Sequence, residues 1–135
     1  MKYFISYKFT GIPLDVLHKE IDPIVAILRK NGHDVFCNLY SESIYQSENY
    51  NGKMIMNHCF KELDQSDIYL TYINDQFGGG QAIECGYAYK LGLKIIACAP
   101  ENMEHLTSLI SVSDIVIRYN CHTDLLESIR KYSLQ

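Results

Sequence analysis

The sequence of 135 residues has no tryptophan, no run of Lys or Arg longer than two, no C-x-x-C pair and no apolar stretch approaching a membrane span. Each absence removes a class. A spanning helix needs about 20 consecutive apolar residues, and stretches such as Leu93 to Ala99 are far shorter. The five cysteines (Cys37, Cys59, Cys85, Cys98, Cys121) are odd in number and at least 13 residues apart, which suits scattered reduced thiols better than a zinc site or a disulfide framework. Twelve Lys+Arg stand against 16 Asp+Glu, a formal charge of -4, so no basic stripe is available to neutralise a phosphate backbone and nucleic-acid binding is not expected. The chain also shows no basic leader with a cleavage site, no internal repeat and no linker. The expectation is a cytoplasmic protein without membrane contact.

What remains is an ordinary globular composition, 47% hydrophobic and 21% charged, at a length that suits one domain over residues 1–135. Eleven tyrosines are the one unusual feature, several beside polar residues, and they suit a polar pocket or an interface as well as a core.

Along the chain, β-rich and helical segments alternate. Lys2 to Tyr7 reads as a strand, and Pro13 then precedes an apolar series, Val16, Leu17, Ile21, Ile24, Val25, Ile27 and Leu28, at helical spacing. Pro23 falls inside that series and is expected to kink or split the helix, and Asn31-Gly32 ends it before a strand at Asp34 to Cys37. Asn38 to Gly52 has no clear period and reads as a mobile loop, either a lid over a pocket or a solvated insertion. A helix through Met54 to Leu63, a strand at Ile68 to Ile73, a glycine-rich turn and a helix from Gln81 to Leu91 follow. Leu93 to Ala99 is a buried strand, Met103 to Ser111 a short helix and Ile115 to Tyr119 the last strand. A final amphipathic helix, capped by Thr123 or Asp124, closes the chain. The alternation predicts an α/β fold, a flavodoxin-like doubly wound five-stranded parallel sheet in the order 2-1-3-4-5. Ligands then bind outside the carboxyl ends of strands one and three, which brings Tyr7 to Gly11 and Asn74 to Glu84 around one pocket.

Within those segments few residues could carry chemistry. Glu84 lies near the start of the helix after the triple glycine, where free N–H groups and the helix dipole favour an ionised carboxylate. It is either a nucleophile or a helix-start charge. Asp75 could serve as a second carboxylate that meets a sugar hydroxyl or protonates a leaving base, or it could be a turn aspartate. Gly78, Gly79 and Gly80 lack the spacing of a dinucleotide fingerprint and the Lys-Ser/Thr of a P-loop, although their backbone can approach a ligand closely. Lys8 and Thr10, just past the first strand, could meet a phosphate or a ribose. The five histidines form no metal-binding pattern and no serine sits in a nucleophile elbow, so neither a metal nor an organic cofactor is expected.

Tyr3-Phe4 followed by Lys8-Phe9-Thr10, then Ser66-Asp67-Ile-Tyr-Leu, Ala82-Ile-Glu-Cys-Gly-Tyr-Ala88, Gly92-Leu-Lys-Ile-Ile and Val112-Ser-Asp-Ile-Val-Ile117 together resemble the nucleoside 2-deoxyribosyltransferases. The resemblance implies a flavodoxin-like fold and cleavage of the N-glycosidic bond of a nucleoside, nucleotide or dinucleotide. It implies Glu84 as the nucleophile that forms a glycosyl-enzyme intermediate and Tyr3 as the residue that orients it; the pocket expected from the topology makes Tyr7, Lys8, Phe9, Thr10 and the three glycines the substrate contacts. The resemblance further implies a homodimer or larger homo-oligomer in which a polar residue between Asn102 and Ser111, Ser108 here, completes a neighbour's pocket. Two family aspartates fall on Cys59 and Gly78, which leaves hydrolysis more open than transfer between bases. Phe4-Ile-Ser-Tyr7 with Gly32-His-Asp-Val-Phe36 also resembles the opening of Toll/interleukin receptor domains, and implies as an alternative an NAD-cleaving enzyme or a non-catalytic nucleotide-binding or interaction module.

Overall fold

The structure is a computed structural model describing residues 1–134. Its elements are β1 (Lys2–Ser6), α1 (Leu14–Lys30), β2 (Asp34–Cys37), a 3-10 turn (Asn38–Ser41), α2 (Glu42–Ser47), α3 (Gly52–Asp64), β3 (Ile68–Tyr72), α4 (Gly79–Leu91), β4 (Lys94–Pro100), α5 (Thr107–Val112), β5 (Ile115–Tyr119) and α6 (His122–Ser133). The five strands form one sheet in the order β2-β1-β3-β4-β5, every neighbouring pair parallel, as the alternation predicts. Such a sheet needs cover on both faces. The central β3 is accordingly buried along its whole length.

Side-chain alternation divides the core in two. Tyr3, Ile5, Leu70, Tyr72, Ile96 and Cys98 face Leu17, Ile21, Ile24 and Leu28 of α1 and Leu125 and Ile129 of α6. Phe4, Tyr69, Ile95 and Ala97 face Cys59 and Leu63 of α3, Cys85 and Ala88 of α4 and Leu109 of α5. Successive strand residues point to opposite faces, so Ser6 shares the face of Phe4, and Asn38, just past β2, continues the face of Phe36. The Phe4 and Phe36 rings meet there at 5.2 Å. No helix among the described residues is long and apolar enough to cross a membrane.

Several expected boundaries shift, each for a visible reason. Pro23 does not split α1, which runs unbroken over 17 residues. A proline deprives only the carbonyl four residues earlier of its donor, and that residue, Lys19, is exposed to water while buried Ile21 and Ile24 hold the helix on both sides. Asn38 to Gly52 is not a loop but a 3-10 turn and α2, pinned by Tyr45, which is 4% exposed and packs its ring against Tyr50 and His58. Such a short helix, held by one aromatic anchor, has too few turns to show a period. The helix after the glycines starts two residues early, at Gly79, because the Gln81 side chain turns back to accept the Gly78 N–H at 2.9 Å. The short helix starts late, at Thr107, after His105 adopts a left-handed backbone with φ 63°. α6 begins after Cys121, with no side-chain cap from Thr123 or Asp124.

A proline in a helix interior is about 3 kcal/mol worse than alanine in isolation. Pro23→Ala is therefore expected to raise stability by about 1–3 kcal/mol, measured by urea unfolding. A loss would show that the proline ring contributes packing that exceeds its backbone cost.

Candidate active site

Glu84 sits in the second turn of α4 with its side chain turned inward, 8% exposed. From β1, the Ser6 hydroxyl donates to its Oε1 at 2.6 Å. Burial raises the carboxyl to a pKa of about 7, and the hydroxyl of Ser6 and the thiol of Cys59, both presented to it, pull it back down. The expectation of a carboxylate held ionised by the helix start is thus corrected: desolvation outweighs the N-terminal dipole, which falls off within the first turn.

Above Glu84 lies an open cavity of about 200 Å³ lined by Tyr7, Lys8, Phe9, Thr10, Asn38, Met56, Gly78 to Gln81 and Glu84. The βα loop after β1, the end of β2, α3 and the start of α4 meet here at the switch point of the sheet, where ligands of such folds bind. Tyr7, Lys8, Phe9, Thr10, Gly78, Gly79, Gly80 and Glu84 are therefore brought together as expected from the sequence. Gln81, 1% exposed, fixes the glycine turn: besides accepting from Gly78, its amide donates to Thr71 Oγ1 at 3.0 Å and to the Tyr72 carbonyl at 2.9 Å. The Tyr69 hydroxyl in turn donates to the Gln81 carbonyl at 2.9 Å. A side chain added at Gly78 would meet Lys8 Cγ at 3.3 Å and Gln81 Oε1 at 3.4 Å, so the turn is close-packed at that point.

Three expected site residues lie elsewhere. Tyr3 is buried on the opposite face of the sheet, its ring edge-on to His33 at 5.0 Å. It cannot orient Glu84, because it lies an odd number of positions from Ser6, whose side chain does so. Asp75 is exposed in the turn after β3 and does not line the cavity; its backbone N–H is taken by Asn74 Oδ1 at 2.7 Å. Ser108 lines a separate cleft with Phe77, Ala82, His105 and Leu106. Within one chain it does not reach Glu84.

Ser6, Asn38 and Met56 are the residues the sequence reading missed at the site; Cys59 and Gln81 fell within its expected positions, without the roles they have here. Strand parity could have revealed Ser6 and Asn38. The thiol of Cys59 is fully buried, and burial, then the neighbouring carboxylate of Glu84, push it well above its ordinary range. The phenol of Tyr7 is likewise raised well above its ordinary range, by burial first, reinforced by Cys37, Glu42 and Glu84. Both remain neutral donors at any working pH. Among the described residues no group of three or more His, Cys, Asp or Glu is placed to hold a metal ion.

Fold and site define a class: a doubly wound α/β domain with one buried, partly neutral carboxyl under an open cavity of mixed polar and apolar lining at the switch point. Solved structures of the same fold include the Clostridium botulinum CMP N-glycosidase BcmB, 21% identical with a TM-score of 0.72 over 98% of this chain and 100% of that one. They include a 2-deoxyribosyltransferase from Bacillus psychrosaccharolyticus, 18% identical with a TM-score of 0.73 over 93% and 90% of the two chains. A conserved protein from Enterococcus faecalis V583 is 17% identical with a TM-score of 0.67 over 97% and 98%. No family model and no curated protein matches the chain. The likeness runs over nearly the full length of each structure and establishes the shared fold.

The raised pKa has a consequence for stability. Below the ordinary carboxyl range Glu84 is neutral in both the folded and unfolded chain. As pH rises through about 7 the folded protein must ionise a buried group, and the stability present in acid is lost. A rise from 4.5 to about 7 corresponds to about 3 kcal/mol. Glu84→Gln is expected to melt well above the wild type at pH 8 and close to it at pH 4, in thermal scans at both. An equal difference at the two pH values would mean that the carboxyl titrates normally.

Proposed function

We propose that this protein is an N-glycosidase or glycosyltransferase of the nucleoside 2-deoxyribosyltransferase-like family, acting on a nucleoside or nucleotide with Glu84 as nucleophile. The observation that carries the reading is the placement of Glu84: a single buried carboxyl, held by Ser6, at the floor of a cavity whose other side chains are neutral donors, the apolar Phe9 and Met56, and one cation. The structural likeness to a CMP N-glycosidase and a 2-deoxyribosyltransferase supports it.

In this reading an ionised Glu84 oxygen attacks C1' of the sugar. The C1'–N bond breaks, its electron pair leaves with the base, and a glycosyl ester forms on Glu84. Water, or a second base, then attacks C1' from the vacated side, loses its proton to the departing base or to solvent, and restores the carboxylate. Burial serves the first step, because a poorly solvated carboxylate has little water to shed before it attacks. Ser6 fixes Oε1, and the Cys59 thiol is the second donor presented to the carboxyl. Lys8 and Thr10 at the cavity edge, with Phe9 half exposed beside them, are placed to contact the sugar substituents. On the same reading the molecule is a homodimer, with Ser108 meeting the cavity of a second copy; sedimentation at working concentration is expected to give twice the 15.6 kDa chain mass, and a monomer that is fully active would remove that part.

Chromatography of base release from ribo- and deoxynucleosides, their 5'-monophosphates and NAD, with and without an acceptor base, tests the activity. Glu84→Ala is expected to reduce release by at least about a thousandfold, the scale seen when a nucleophile is removed. For the wild type, kcat/KM is expected to rise with pH through about 7, since the ionised form attacks. Release that survives Glu84→Ala, or silence across the panel from a folded protein, would sink the proposal.

A further inference from the structure

Cleavage of an N-glycosidic bond leaves an electron pair on the base, and something must stabilise it. The cavity holds no second carboxyl: Asp75 is turned away, and the two positions where family aspartates would fall are Cys59 and Gly78. Tyr7 and Cys59, with raised pKa values, are poor acids. Lys8, the one cation of the wall, is engaged by Gln76 at 2.6 Å, which leaves the neutral donors of the cavity to meet the leaving base.

Asn38 is placed to be that donor. The β1–β2 register pairs Ile5 with Cys37, so Asn38 follows beside Ser6, the residue that holds Glu84. Parallel neighbours are about 4.8 Å apart, and both side chains belong to the same face of the sheet. Asn38 and Glu84 accordingly line the same cavity. The carboxamide oxygen is turned toward Tyr45. Asn38 Oδ1 accepts from the Tyr45 hydroxyl, and Tyr45 Oη lies 2.6 Å from His58 Nδ1. A phenol has one proton; with that proton on Asn38, His58 Nδ1–H must donate to the phenol oxygen. The acceptor end of Asn38 is engaged within the protein, and among the described residues no acceptor meets its Nδ2. The NH2 is left to the cavity that Asn38 lines.

We propose that Asn38 holds the leaving base, its Nδ2 donating to a ring carbonyl oxygen adjacent to the scissile nitrogen, and that the substrate class is pyrimidine. The inference rests on Glu84 as nucleophile. An amide stabilises negative charge without transferring a proton. It suits a pyrimidine, whose charge spreads from the scissile nitrogen onto the neighbouring carbonyl, and not a purine, which departs readily only when its imidazole ring is protonated. Tyr45 is a positioning residue that acts through Asn38.

The test compares the wild type with Asn38→Ala and Tyr45→Phe on uridine, 5-methyluridine and 5-fluorouridine 5'-monophosphates and on adenosine 5'-monophosphate, with melting temperatures to confirm folding. Asn38→Ala is expected to lower kcat on uridine monophosphate about 100-fold, as loss of one charge-stabilising donor does elsewhere. The loss should shrink on the fluorinated base, which leaves more easily, so the dependence of rate on leaving-base acidity steepens. A merely structural role would slow the three pyrimidines equally. Tyr45→Phe, which keeps the ring packing, should show the same steepening with about a tenfold loss and carries the test where Asn38→Ala does not fold. Equal losses across the series overturn the role of Asn38, and equal wild-type rates on the purine and the pyrimidines overturn the substrate class. Absence of release by the wild type from every substrate overturns the proposed function and this inference with it, whereas release that both variants leave unchanged overturns this inference alone.

Discussion

The hydrogen bond from Ser6 to Glu84 joins the first strand to the fourth helix across 78 residues of sequence, and it exists only because β1 is the neighbour of β3 in the sheet. That adjacency places the chain's reversal point, and therefore its crevice, between the carboxyl ends of β1 and β3. α4 leaves from β3 and folds back over the face that carries Phe4 and Tyr69. Glu84 is consequently directed at the crevice from beneath. Burying a carboxyl there is unfavourable when it is charged, and one hydroxyl and one thiol offset only part of the cost. The fold tolerates this because the helix bearing Glu84 is fixed at its start by Gln81, whose side chain and carbonyl make four hydrogen bonds to β3 and the glycine turn. The turn is close-packed at Gly78 for the same reason. Flexibility of the three glycines in sequence becomes, in the folded chain, a wall of the cavity that Glu84 also lines.

The fold was legible because its signals are local and repeated. Buried runs such as Ile68 to Ile73 and the periodic face of α1 need no tertiary information, and parallel order follows from their alternation. The loop residues gathered around Glu84 were legible from the same topology, since carboxyl ends of adjacent strands must share one edge. What was not legible depends on single anchors. Tyr45 makes a helix of six residues where period and composition indicate a loop, through contacts with Asn38 and His58 that no pattern of spacing reveals.

Tyr3 is the instructive error. A motif match placed it at the nucleophile, whereas the period-2 rule applied within β1 puts Tyr3 and Ser6 on opposite faces whatever the motif suggests. The tyrosine fits the α1 face as a large buried ring beside His33. The ionisation of Glu84 was misjudged for a related reason. Its helix position was readable, but its exposure was not, and exposure decides the sign of the shift. A carboxylate one turn from a helix start gains a modest stabilisation while solvated; at 8% exposure the cost of losing its water is larger and opposite.

The same two quantities, which face a residue is on and how dry it is, bear on the chemistry. A carboxyl near neutrality loses part of its reactive population at pH 7, so burial would be a poor choice for a group that merely bound a sugar hydroxyl. It is a reasonable one for a nucleophile, where the fraction lost is at most about tenfold while the gain in attacking power from desolvation acts on every ionised molecule. The cavity is otherwise built from groups that hold their protons: Tyr7 and Cys59 are raised, and Asn38 and Thr10 do not titrate. Lys8 directs its ammonium to Gln76 at 2.6 Å, and Glu84 is the carboxyl that burial moves into the neutral range. A single rise in rate with pH, with no second limb near neutrality, is what that arrangement permits.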